Sequence, residues 1–313
     1  MDHRFQRVVA RTHEQRPARL RLIGQLLGQL TEEHLYLPTP PSAALYASAH
    51  QLLYQARIAA MRRDHDGVAE VAGLIRRLPE LPAPREGVEF LLVPASACTW
   101  QHGEQYASDV PVLDPPKATR SWLGPEQSAE LQAAVDLLAD VGMLEWVNAS
   151  CGVVVWTTRS PLRGTSISYT LRSLEGTIVT DWPDDPVRLA ENLLHEATHT
   201  WLNEAVRVLG ESLQGPDLFS PWKQRMRPAL GIAHSGAAFT NVAHFLHRVL
   251  ESGAGSHDAR IYARRRLSYE LDQLELASSA IREAYALIRD SDLAGLLTDH
   301  FDQLHGTRAA FAI

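Results

Sequence analysis

Two histidines, His195 and His199, stand four residues apart in Asn192-Leu-Leu-His195-Glu196-Ala-Thr-His199. On an α-helix that spacing is just over one turn, so both imidazoles leave the same face. Two nitrogens so placed can grip one divalent ion at about 2.0–2.1 Å. The other reading is a pair of buried structural histidines. Glu196, between them, would be the general base in a zinc peptidase, taking a proton from the attacking water.

The third ligand decides the chemistry. The glycine and third histidine that follow the pair in one class of zinc peptidase are missing: the stretch here is Thr200-Trp-Leu-Asn-Glu204-Ala205. A glutamate from a following helix is poorly supplied. Glu204 shares the motif helix, Glu211 falls at its end, and the next is Glu251. His234 is better placed, inside Arg227-Pro-Ala-Leu-Gly231-Ile-Ala-His234-Ser-Gly236. Pro228 suits a helix start. Gly231, Ala233, Gly236, Ala237 and Ala238 leave one side of that helix thin, which would let it lie close to the motif helix. The competing role for His234 is an interhelical hydrogen bond. His244 and His247, two or more turns further on, read as ordinary helical residues.

With Phe219-Ser-Pro-Trp222 ahead of Arg227-Pro228 and Gly231-Ile-Ala-His234, the sequence resembles the HExxH-motif peptide-modification proteins found beside ribosomally made peptide natural products. The likeness covers roughly residues 150–250 well and the helical ends only in general character. It implies an Fe(II)- and 2-oxoglutarate-dependent oxygenase that hydroxylates a side chain of a precursor peptide, commonly at Cβ. It assigns the metal to His195, His199 and His234. Three neutral imidazoles leave the ion its full charge, which a chelating dianion would offset. They also depart from the familiar set of two histidines and a carboxylate and suit zinc equally. A zinc metallopeptidase with Glu196 as base is therefore the alternative.

A 2-oxoglutarate site further needs a cation for the distal carboxylate, best met by a forked guanidinium. Arg227 is the first choice, seven residues before His234 and so two turns away on the same helical face; Arg225 and Lys223 stand behind it. In an oxygenase Glu196 is not obligatory as a base and could position a ligand or a substrate amide. The peptide itself could add as a strand to a sheet edge, with Ser166-Ile-Ser-Tyr169-Thr as one candidate.

The motif helix needs a start and a floor. Asp185 is a good N-cap and Pro186 suits the first helical position. Ala190, Leu193, Leu194, Ala197 and Trp201 can bury the remaining surface. Before it lie β-rich runs, 151–158, 166–171 and 176–181, punctuated by Arg163-Gly164 and Glu175-Gly176, which read as a small, mostly antiparallel sheet. Residues 4 to about 80 carry helical periodicity, broken by Leu37-Pro-Thr-Pro-Pro41 and closed by Leu81-Pro-Ala-Pro-Arg85. After Pro186 the chain is helical almost to its end. The fold class expected is α+β, predominantly helical, with the sheet preceding a zincin-like HExxH helix. Residues 1–85 form an N-terminal helical region and 86–313 the metal-binding catalytic domain, or the two are continuous.

The 313 residues carry a formal charge of −7, with 45% hydrophobic and 21% charged residues, the balance of an ordinary globular protein. A mildly acidic chain gives no electrostatic reason to expect nucleic acid or an anionic membrane. Cys98 and Cys151 are too few for a disulfide framework. The first residues bring charge with no apolar stretch behind them, so a secretory signal is not expected and the cytoplasm is. Peptide, modified residue and oligomeric state are not written in these patterns.

Overall fold

The computed structural model describes residues 2–31, 42–78, 88–102, 109–113 and 124–311. The proline-rich segments 37–41 and 81–85 lie outside the described residues.

The chain is predominantly helical with a small sheet. Val153-Val154-Val155 is an unbroken apolar run, the signature of a strand covered on both faces, and all three side chains are fully buried. They open β4 (Val153–Ser160) in a four-stranded sheet of order β1-β4-β6-β5, with β1 at Leu91–Pro94, β5 at Ser168–Thr170 and β6 at Thr177–Pro183. β4 runs parallel to both β1 and β6, and only β5 is antiparallel to its neighbour β6. The expected antiparallel character is thereby corrected. The reason is connectivity: only the Glu175-Gly176 turn joins strands that pair. From β4 the chain passes beyond the place of β6, makes β5 at the edge, and returns as β6. The unpunctuated valines of β4 were the available signal. Two ribbons are antiparallel, β2 (Cys98–His102) with β3 (Asp109–Leu113) and β7 (Leu218–Ser220) with β8 (Arg225–Arg227).

The helices before the sheet are α1 (His3–Thr31), α2 (Ala43–Arg62) and α3 (His65–Arg77), and those between β3 and β4 are α4 (Pro125–Asp140) and α5 (Leu144–Asn148). After β6 come α6 (Pro186–Val208), α7 (Ala229–Ser252), α8 (His257–Leu276), α9 (Ser278–Ala286) and α10 (Ser291–Phe311). Residues 260–288, which carry helical periodicity in the sequence, are divided between α8 and α9.

The motif helix is α6. Asp185 caps it, its carboxylate accepting the Val187 N–H at 2.8 Å, and Pro186 takes the first helical position. Ala190, Leu193, Leu194, Ala197 and Trp201 are buried against α4, α7 and the sheet. Trp201 meets Trp146 edge-to-face at 4.9 Å and lies near Phe5 of α1. The start of α1 therefore shares the large core. Its second half instead joins α2 and α3 in a smaller cluster of Leu20, Ile23, Leu27, Leu52, Leu74 and Ile75. A buried ion pair ties these helices to α6: Arg16 donates to both oxygens of Glu204 at 2.8 and 2.7 Å. Among the described residues no helix is long and apolar enough to cross a membrane.

Candidate metal centre

His195 and His199 project from one face of α6, and their Nε2 atoms lie 3.2 Å apart. His234, on the second turn of α7, brings its Nδ1 to 3.2 Å from Nδ1 of His199. Two nitrogens about 2.1 Å from one ion and 3.2 Å from each other subtend an angle of about 100°, well within the range of cis ligands. His199 faces its two neighbours with different nitrogens, so its ring bridges the other two. Among the described residues no group of three His, Cys, Asp or Glu side chains surrounds a common point. A turn of one ring is needed before all three aim at one ion. The donor chemistry fits. Burial holds all three imidazoles below their usual range, His199 to about 4, helped by Arg227 and Lys223. Neutral rings keep the lone pairs that a divalent cation takes.

Gly236 opens α7 toward α9 rather than toward the motif helix, since a Cβ there would meet the Tyr285 hydroxyl at 2.8 Å. Gly231 has another use again. Arg227 is not on α7, correcting the shared-helix expectation. Pro228 disfavours helical backbone in the residue before it, and Arg227 ends β8. Its guanidinium folds back over Gly231, where a Cβ would lie 3.2 Å from Cζ and Nε. The half-buried cation still reaches the histidine cluster, and its charge helps to keep His199 and His234 neutral.

The histidines and Arg227 line a cavity of about 720 Å³. Lys223 lines it too, Arg225 does not, and Arg172 adds a cation that sequence reasoning missed. Among the described residues, the side chains of Arg172, Lys223 and Arg227 make no ion pair and no hydrogen bond. Arg266, also in the wall, is neutralised by Glu191 at 2.9 Å and Glu270 at 2.7 Å. Trp222 donates to Glu270 at 2.8 Å and stacks on Phe239 at 4.5 Å, and Phe239 packs against His195. The Arg266 and Glu270 pair on α8 had only its helical i, i+4 spacing as a sequence signal.

Glu196 Oε1 accepts the Ser168 hydroxyl at 2.7 Å, and the nearby Thr170 hydroxyl also favours the charged carboxylate. Both residues belong to edge strand β5. Glu196 Oε2 is buried with no hydrogen-bond partner among the described residues, and burial raises the carboxyl to about 7. The other carboxylates near the motif are engaged elsewhere: Glu204 with Arg16, Glu211 with the backbone N–H groups of Arg289 and Asp290, Glu251 with His247. His244 meets the His300 carbonyl at 2.9 Å, remote from the cavity wall.

No protein-family model matches the chain, and no curated protein sequence matches it.

Proposed function

We propose that the chain is an Fe(II)- and 2-oxoglutarate-dependent oxygenase that hydroxylates a side chain, at Cβ in the simplest case, of a ribosomally made precursor peptide. The zincin-like motif helix and the resemblance to the HExxH-motif peptide-modification proteins belong to this reading. One observation carries it beyond metal binding. Arg227 is a half-buried guanidinium without a carboxylate among the described residues, laid over Gly231 one helical turn from His234. A half-buried cation without a partner is costly, and a dianionic co-substrate at the histidine cluster would supply the missing charge in a forked geometry.

His195, His199 and His234 would hold the iron, which with its co-substrate and dioxygen supplies the oxidising power. The chain's own residues do the rest. Arg227 binds and orients the distal carboxylate of 2-oxoglutarate, and the Gly231 cleft fixes its approach. Trp222 and Phe239, stacked beside His195, shield that side of the cavity from water. Among the described residues strand β5 is an edge strand of the four-stranded sheet, and it lines the cavity, so an extended peptide laid beside it could add main-chain hydrogen bonds. Glu196 ties β5 to the motif helix through Ser168, and its Oε2, without a partner among the described residues, is available to accept a substrate amide N–H.

That same orphan oxygen favours the second reading, a zinc peptidase in which Glu196 takes the proton of the attacking water. Anaerobic reconstitution separates the two. Fe(II) with 2-oxoglutarate should give a weak visible charge-transfer band. Admitting oxygen and peptide should then release succinate and add about 16 Da per hydroxylation to the peptide, by atom balance with the co-substrate. Zinc-dependent peptide cleavage with no need for 2-oxoglutarate would establish the peptidase instead.

A further inference from the structure

A second cavity, of about 340 Å³, opens beside the first, between α1, α2 and the turn that links β5 to β6. Helices α1 and α2 run in the same direction here. Arg16 sits over the Tyr46 ring at 5.2 Å and, one turn on, Arg19 reaches His50 at 3.3 Å. Each offers a face at i, i+3, i+4, i+7: Arg19, Leu22, Ile23 and Leu26 opposite His50, Leu53, Tyr54 and Arg57. Leu22 is 55% exposed and Leu26 36%, so the walls leave apolar surface in water. From Arg19 to Leu26 the groove is about 10 Å long, room for about three extended residues.

Two features decide what it takes. The first is continuity. Ser168 to Thr170 line the catalytic cavity, Arg172 lines both cavities, and Ser173 and Glu175 line the groove. A chain lying along β5 is led by the next residues of the protein itself into the groove. The second is charge. Arg172 stands at the catalytic end and Arg57 beside the far wall, and neither side chain has an ion-pair partner among the described residues. Among the described residues the one carboxylate in the wall, Glu175, is already committed to Arg19, Arg207 and the Tyr46 hydroxyl.

We infer that this groove is a docking site for the peptide substrate away from its reacting residue, and that it selects a segment in which leucine-like side chains alternate with aspartate or glutamate. Apolar side chains fill the Leu22, Leu26 and Leu53 walls, and the carboxylates pair with Arg172 and Arg57. The inference rests on the substrate being a peptide, and its test is kept separate from the oxygenase chemistry.

The test uses two fluorescein-labelled peptides, one alternating leucine with aspartate and one with lysine for each aspartate, titrated into the full chain by anisotropy. The aspartate peptide should bind at least about tenfold more tightly, and Arg57→Glu should erase that preference. Arg57 is exposed, so the substitution leaves the core alone. Leu53→Ser should weaken the aspartate peptide and leave its salt dependence in place. A His195→Ala/His199→Ala double variant should lose metal by elemental analysis yet bind the peptide as the parent does. Equal binding of the two peptides, binding of neither, or an Arg57→Glu variant that binds like the parent overturns the groove. A parent that takes up no iron yet holds the aspartate peptide through Arg57 overturns the oxygenase reading and leaves the groove standing.

Discussion

At the level of single residues, Arg227, Gly231 and Glu196 decide what the histidine cluster can do. A methyl at Gly231 would press on the Arg227 guanidinium at 3.2 Å, and a few tenths of an ångström are enough to spoil a forked pair. Gly231→Ala should weaken 2-oxoglutarate binding about tenfold, some 1.4 kcal/mol, with metal affinity unchanged. Arg227→Lys should not restore the parent's affinity, because an ammonium lacks the fork. Isothermal titration of the metal-loaded protein reads both. Glu196→Gln separates the two chemistries. Glutamine keeps an oxygen for Ser168, so hydroxylation should stay within about tenfold of the parent, whereas losing a general base costs about 10²–10⁴-fold. The histidine pair could be read from the chain because its spacing carries geometry of its own; His234, 35 residues beyond His199, came from the character of its helix and from the resemblance, and the glycines expected to bring that helix close face Tyr285 and Arg227 instead. The placement of Arg227 on the helix of His234 was wrong, and Pro228 was the signal against it, because proline disfavours helical backbone in the residue before it. Arg172 and Arg266 were not legible, because nothing local marks which surface arginine will face a cavity built from distant elements.

Elements set the precision of the site. The motif helix is held at its start by Asp185, and Asp185→Ala should cost about 1 kcal/mol in urea unfolding while leaving metal affinity near the parent's. Gly152, just before β4, tolerates no side chain, since a Cβ would fall 2.0 Å from the Ala43 carbonyl oxygen at the start of α2. Gly152→Ala should cost about 1–3 kcal/mol by forcing α2 off the sheet. Helix positions were largely legible from apolar periodicity, and the cap and proline of α6 fell where their chemistry demanded. The sheet was misread in direction. Turn residues mark where a strand stops without saying which strand it pairs with next, and the parallel β4–β6 pair is a long-range outcome that only the continuous valine run hinted at.

Across the whole molecule, the N-terminal helices and the site are mechanically joined. Arg16 and Glu204 are both buried, so Arg16→Met strands a carboxylate and should cost about 3–5 kcal/mol. Buried histidines also give the fold a pH dependence. His244 is held down to about 4, chiefly by burial. Between that value and 6.5 the unfolded chain binds the proton and the folded one does not, so stability rises with pH across this window and is lost on acidification. For His244 alone the loss between pH 7.5 and pH 5 is about 2 kcal/mol. Urea titrations of the metal-free protein at the two pH values should show it, and His244→Gln should reduce the difference. Whether three imidazoles share one ion is tested by the iron affinity of anaerobic parent protein beside His234→Ala. The parent should bind a single iron per chain, and the variant should lose at least about tenfold in affinity. A His234→Ala protein that holds iron as tightly as the parent would contradict the shared site.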